Sequence, residues 1–210
     1  MKTSLLLKKL RIENKEFVTS AELRQYCKQM KLDYKPTISH FVTRGHMLRI
    51  FKGIFYVKSL DEIKLGKTKY SYLELVAKGL TLKDVKNWYF GLYTALKLNN
   101  MTHEHFAIDY VVNDKLFRAK PMKIAGYKFR FMKLKAPLVR FGIVKDGVAY
   151  SDPEKTILDF IYMWRYNGVP KGKIAADVAE WSEDLSKSRV KRYAQNYPKT
   201  VQEIVSEVVK

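Results

Sequence analysis

The sequence predicts an α+β protein built in two parts, on three observations. Residues 1–60 hold three stretches at helical spacing, followed by two short apolar runs, "MLRIF" and "IFYVKS", around a Lys52-Gly53 pair. Beyond about residue 70, stretches with the two-residue period of strands are interleaved with stretches of helical period. Between them "LDEIKLGKTK", Leu60 to Lys69, is the best linker candidate, because the pattern changes after it. The expected layout is an N-terminal domain at 1–60, a linker at 61–69, and a mixed α/β domain at 70–210 that ends in a helical tail.

Each element of the first domain has its own reason. Ser4 to Asn14 places Leu6, Leu7 and Leu10 at helical spacing. In "TSAELRQYCKQMKL", Thr19 stands three residues before Glu22. That is the spacing of a capping box, in which each side chain satisfies an N–H left unpaired at a helix start. Leu23, Tyr26, Cys27 and Met30 follow at three and four, which suggests a packed core thiol for the single cysteine and excludes an internal disulfide. "KPTISHFVTRG" has Pro36 near its first turn and Gly45 just past its end, the asymmetry expected of a helix. Lys52-Gly53 then suits a hairpin turn, since glycine tolerates a positive φ. Three helices and a two-stranded ribbon in ~60 residues match the winged helix-turn-helix plan, whose third helix lies in a DNA major groove with the ribbon beside it.

The third helix can be divided into faces. At 100° per residue, Ile38, Phe41 and Val42 fall together and must face the core. Ser39, His40, Thr43 and Arg44 then cluster on the other side, with Thr37 on the flank. This outer face is short, polar and free of acids, whereas a merely solvated face would mix Glu with Lys for i,i+4 support. Small donors suit phosphates and a guanidinium suits a guanine edge. The candidate DNA-binding residues are Lys35, Thr37, Ser39, His40, Thr43 and Arg44, with Arg49, Lys52 and Lys58 from the ribbon. Arg44 and its helix neighbours are expected on bases; Lys35, Arg49, Lys52 and Lys58 are expected on phosphates.

The charge balance points the same way. Forty Lys+Arg against 21 Asp+Glu give the 210-residue chain a formal charge of +19. Such an excess repels itself in the folded state and usually reflects a polyanionic partner, although a lysine-rich surface composition would also produce it. Residues 1–60 alone hold 13 Lys+Arg and four Asp+Glu, so basic density is concentrated there. No stretch approaches the ~18 consecutive apolar residues of a membrane span. The apolar run in "MKTSLLLKKLRI" is too short for a signal peptide, so a cytoplasmic protein is expected.

In the second domain "SYLELVAKGL" and "TLKDVKNWYFGLYTALKLNN" read as helices, and "FAIDYVVN", "YKFRFMKL" and "VAYSD" as strands. Helices are expected from Asp152 to about Arg165, from about Gly172 to Ala194, and in "KTVQEIVSEVVK". The run from Lys115 to Lys135 carries eight Lys+Arg and no acid. In it Tyr127, Phe129 and Phe131 alternate with Lys128 and Arg130, so the aromatic residues are expected inside and the basic ones outside. The parity flips after Phe131, which calls for a bulge or a strand break. Lys128, Arg130, Lys133 and Lys135 form a candidate secondary basic face. Aromatic residues interleaved with basic ones can also mark a platform for single strands.

No enzymatic signature emerges. His103-Glu104-His105 lacks a further ligand and reads as a solvated turn. Asp152 with Pro153 is an N-cap and first-turn pair, Glu154 suits the positive end of the helix dipole, and Asp159 lies off the face of Glu154. "GVPKGK" lacks the spacing of a phosphate loop. Neither a catalytic centre, a metal nor a cofactor is expected.

The segments "LRIFKGIFYVKS", "WYFGLYTALKLNNMT" and "VAYSDPEKTILDFIY", in that order over roughly residues 1–165, resemble the AbiEi-type antitoxins of abortive-infection systems. The most specific part is "SDPEKTILD" following "TALKLNN". The resemblance implies a transcriptional repressor whose winged helix binds inverted repeats in its own promoter. It also implies a C-terminal domain that counters a nucleotidyltransferase-like toxin in a type IV toxin–antitoxin system, without a stable complex between the two. It places the DNA contacts on Arg44, Arg49 and Lys52. The rival readings are a free-standing transcriptional regulator, an RNA- or single-strand-binding module built on Lys115–Lys135, and a nucleic-acid enzyme using Asp109, Asp114 and Asp159.

Overall fold

The structure, a computed structural model, describes residues 2–208. It is α+β, with ten α-helices and nine strands among the described residues. The chain divides into two compact units: Met1–Asp84 with Lys123–Gly126, and Val85–Met122 with Tyr127–Lys210. No helix among the described residues is long and apolar enough to cross a membrane.

The first unit runs α1 (Lys2–Ile12), β1 (Phe17–Thr19), α2 (Ser20–Gln29), α3 (Tyr34–Thr43), β2 (Met47–Phe51), β3 (Ile54–Val57), α4 (Leu60–Leu65) and α5 (Tyr72–Leu82). The capping box at α2 is formed: the Glu22 N–H donates to Thr19 Oγ1 at 3.2 Å, and the Thr19 N–H donates to Glu22 Oε2 at 2.8 Å. Leu6, Leu10, Leu23, Phe41 and Met47 meet in one core, with Cys27 buried among them. Burial pushes the Cys27 thiol above its usual pKa.

The ribbon has a third strand that the sequence reading lacked. β1 pairs antiparallel with β3, giving the order β1-β3-β2. β3 is therefore central, and all four of its residues are buried. In β2, Ile50 and Phe51 are both buried although consecutive residues of a regular strand face opposite ways. The register shifts between Arg49 and Phe51, and helix α5 lies against both side chains at Gly79.

Residues 61–69 do not form the expected free linker. α4 opens on a second capping box, Ser59 with Glu62, and the Tyr56 hydroxyl donates to Glu62. Lys69 Nζ and the Tyr70 hydroxyl both donate to Glu16, at 2.6 and 2.5 Å. A charged, polar stretch reads as linker by composition, but its partners lie some fifty residues back, where local pattern gives no sign of them. The unit closes only after α5, at Asp84.

The second unit contains β4 (Trp88–Phe90), α6 (Leu92–Leu98) and β5 (Ile108–Asn113); β6 (Met122–Ile124) straddles the division. Then come β7 (Tyr127–Lys133), β8 (Ile143–Asp146), β9 (Val148–Ser151), α7 (Pro153–Tyr166), α8 (Lys171–Ala179), α9 (Lys187–Ala194) and α10 (Lys199–Val208). Its strands lie in the order β7-β5-β4-β9-β8, parallel at β5–β7 and β4–β9 and antiparallel at β4–β5 and β8–β9. Tyr89, Leu96, Val112, Leu158, Phe160, Ile174, Val190 and Ile204 share its core.

Two expectations are corrected here, and the choice between a bulge and a strand break after Phe131 is decided for a strand end. "TLKDVKNWYFGLYTALKLNN" is not one helix: Trp88–Phe90 is a strand, and the chain turns at Leu92, whose φ is +52°, before a helix that ends at Leu98. The helix expected from Gly172 to Ala194 is broken by a 3-10 turn at Glu180–Ser182. β7 has no bulge, since its register with β5 is continuous from Ile108↔Lys128 to Asn113↔Lys133. The strand simply ends, and Leu134 is buried beyond it.

Candidate nucleic-acid interface

The core contacts of α3 decide which of its residues can meet a ligand. Ile38 and Phe41 are buried, so Lys35, Ser39, His40, Thr43 and Arg44 are left exposed. Lys35, Ser39 and Thr43 repeat every four residues and form one row along the helix. Arg49 of β2 is exposed and stands over the Phe55 ring, its guanidinium carbon 5.9 Å from the ring centroid. The helix row and Arg49 line the same groove, of about 300 Å³, whose floor is Ile38, Val42 and Phe55. No acidic side chain lines it.

The end of the groove is extended by a residue that the sequence reading missed. Tyr34, at the start of α3, lines the groove, and the Arg24 guanidinium of α2 stacks over its ring at 4.3 Å. The Tyr34 hydroxyl is 2.8 Å from Ser20 Oγ, which holds the ring in place. Arg24 lies on the exposed side of a helix expected only to support α3, so no local signal marks it.

The remaining sequence candidates are placed differently. Thr37 is buried, at 4% exposure, and is removed from the candidate interface. Its position on the flank of α3 turns it inward once α2 and β2 pack against that helix. His40 and Arg44 occupy an exposed row beside the groove rather than in it. Lys52 is exposed at the hairpin tip, where the Gly53 φ of +82° makes the turn and the Ser20 N–H donates to the Gly53 carbonyl at 2.8 Å. Lys58 lies past the other end of β3, and its carbonyl accepts from Arg11 Nε at 3.1 Å. At ~3.3 Å per residue the two lysines are a full strand apart.

The field at the C-terminal end of α3 is positive. His46 is held below its usual pKa by burial, and then by the charges of Arg11, His40 and Arg44.

The secondary basic residues of β7 do not make one face. Lys128 and Arg130 share a side of the strand, while Lys133 has the parity of the buried Phe129 and Phe131. Phe129 is fully buried and Tyr127 half-exposed, so the alternating aromatic residues are not a joint platform. Asp109 bonds to Thr94, Asp114 to Asn87 and Asp159 to Lys155, so each of these acids has a separate partner. His103, Glu104 and His105 are exposed, and no group of three or more His, Cys, Asp or Glu among the described residues is placed to hold a metal.

A second polar constellation lies inside the second unit. Lys155 and Asp159, one helical turn apart on α7, form a fully buried ion pair at 2.9 Å. Lys155 Nζ also donates to the Tyr197 hydroxyl at 2.8 Å. Asp159 accepts from the hydroxyls of Tyr197 at 2.7 Å and Tyr89 at 2.6 Å. The rings of Phe141, Tyr89 and Tyr197 surround the ammonium at 4.6, 5.0 and 5.4 Å. Burial lowers the Lys155 pKa despite the paired carboxylate. At the start of α7, Asp152 accepts from the Lys155 N–H at 2.8 Å, as an N-cap should, and the buried Glu154 is paired with Arg189 at 3.2 Å. Apart from Arg189, which is exposed, these ionisable groups are buried and serve the core.

No protein-family model matches the sequence, and no curated protein matches it. Among solved structures the chain is similar to the RV2827C protein from Mycobacterium tuberculosis, with a TM-score of 0.60 and 15% identity, over 99% of this chain and 76% of that one. The likeness is one of fold.

Proposed function

We propose that the protein is a sequence-specific double-stranded DNA-binding transcriptional repressor of AbiEi type, the autoregulating antitoxin of a type IV toxin–antitoxin system. In this reading the first unit is a winged helix-turn-helix, with α3 as its recognition helix and β2–β3 as its wing. One observation carries the reading: the row Lys35, Ser39 and Thr43 meets Arg49 across an acid-free groove. A ten-residue helix is ~15 Å long and suits a major groove ~12 Å wide. Arg44 and His40 flank the row and reach base edges, while Lys35, Arg49 and Lys52 hold phosphates. Arg24 joins the phosphate contacts. The second unit counters a nucleotidyltransferase-like toxin without a stable complex.

Fluorescence anisotropy with three labelled oligonucleotides at two salt concentrations tests this. They are the duplex upstream of the protein's own gene, a scrambled duplex and a single strand. Preference for the upstream duplex that survives the higher salt is expected. Equal binding to both duplexes that collapses with salt would reduce the interaction to unspecific charge neutralisation and overturn the repressor reading.

A further inference from the structure

The second unit has a groove of its own, unrelated to the α3 row. It has a volume of about 630 Å³ and is lined mainly by apolar atoms. Met132, Leu134 and Met163 form its interior, and Lys133, Lys135 and Asn167 stand on its rim. Three aromatic side chains line it: the partly buried Tyr162 of α7, and two exposed ones from different elements, Phe117, 62% exposed in the loop before β6, and Tyr166, 79% exposed in the last turn of α7. No acidic residue lines it. A cavity of ~150 Å³ accepts one benzene ring, so this groove has room for more than one aromatic ring.

A singly exposed apolar residue is ordinary, but Phe117 and Tyr166 are gathered in one groove together with two exposed lysines, and grouped exposure is what marks an interaction site. From this geometry we infer that the groove binds a short segment of single-stranded nucleic acid. Bases stack on Phe117 and Tyr166, Lys133 and Lys135 neutralise the adjoining phosphates, and the Asn167 amide offers a donor and an acceptor to a base edge. Charge complementarity favours this occupant: every nucleotide carries a phosphate, and both charged residues on the rim, Lys133 and Lys135, are basic. A duplex is excluded because its bases are already stacked and cannot reach the rings. The site differs from the aromatic alternation of β7, whose Phe129 is buried, and it stands whether or not α3 reads duplex DNA.

The test uses the full chain and labelled six-nucleotide single strands of DNA and RNA, with the upstream duplex measured in parallel. Phe117→Ala and Tyr166→Ala should each weaken single-strand binding by roughly five- to 150-fold, the range for losing one stacked base. Duplex affinity and melting temperature should stay unchanged, since both side chains are exposed. Lys133→Ala with Lys135→Ala should lower the salt slope by about 0.7 for each phosphate released. Single-strand affinity that responds to the lysines and ignores both aromatic substitutions would overturn the inference. So would displacement of the strand by an acidic, phenylalanine-containing peptide but not by unlabelled single strand, which would assign the groove to a protein partner. Loss of duplex binding in an Arg49→Ala variant that still binds single strands would separate this site from the first.

Discussion

Arg44 and Arg49 carry the same charge in different settings, and the proposed interface gives them different work. Arg49 reaches across a groove toward the Lys35–Thr43 row, which suits a phosphate. Replacing it by alanine should lower the salt slope of duplex binding by about one and weaken all sequences alike. Arg44→Ala should instead cost ~1–3 kcal/mol on the upstream duplex and relax specificity there, if its guanidinium is bidentate to guanine. Anisotropy titrations across a salt series distinguish the two, and an unchanged slope in Arg49→Ala would take the ribbon out of the interface. Lys155 makes a separate residue-scale case. Lys155→Met leaves the Asp159 carboxylate buried without its cation and should cost ~3–5 kcal/mol in chemical denaturation. Adding Asp159→Leu should recover part of that loss, because a pair removed together leaves no buried charge. A double variant as unstable as the two single losses added would show that the pair is not coupled. The sequence displays Lys155 and Asp159 at i,i+4, yet that spacing is ordinary on a solvated helix; only their burial makes them a core pair.

At the scale of elements, the β2–β3 ribbon depends on α5. A Cβ at Gly79 would sit 2.7 Å from Ile50 Cγ2 and 2.8 Å from Phe51 Cε2, so helix and strand are in van der Waals contact there. Gly79→Ala should cost ~1–3 kcal/mol by overpacking, although alanine favours helix formation. It should also shift β2 and so weaken duplex binding more than its stability loss explains. Denaturation midpoints and anisotropy on the same preparation measure both effects; a stabilised variant would mean that the contact relaxes freely. Helix starts such as Thr19–Glu22 were readable because a cap is a local bargain between residues three apart. β1 was not readable: three residues, Phe17–Thr19, become a strand only because β3 offers them an edge. The same holds for Trp88–Phe90, whose helical neighbours suggested a continuation that pairing with β5 and β9 overrode.

At the scale of the whole molecule, the ionisable groups predict that acid acts on the two units unequally. Glu16, Glu22, Glu62 and Glu74, all in the first unit, are held below the usual value of 4.5. For Glu16 and Glu74 hydrogen bonds are the main cause, whereas for Glu22 and Glu62 they outweigh an opposing burial effect. A carboxylate lowered in the fold contributes stability above its unfolded pKa, and that contribution is lost as pH falls below about 4.5. In the second unit, burial raises Asp109 and Asp152 above 3.8, so their contribution grows as pH falls toward that value. Glu203, lowered by exposed Lys171, works the other way there. The first unit should therefore unfold first on acidification. Trp88, Trp164 and Trp181 all belong to the second unit, so tryptophan fluorescence reports on that unit alone. Far-UV circular dichroism should begin to fall at a higher pH than the fluorescence changes, and coincident transitions would refute the difference.

By itself the sequence determined the α+β class, the capped starts of α2 and α7, the inner face of α3 and the basic excess. Each of these follows from neighbours within a turn or from composition, so a linear reading suffices. Only the tertiary structure decided that Thr37 is buried, that residues 61–69 are tied to Glu16, that Arg24 extends the α3 groove, and that Phe117 and Tyr166 share one with Lys133 and Lys135. These facts depend on residues far apart in the chain, and burial is a property of what packs on a side chain, not of the side chain.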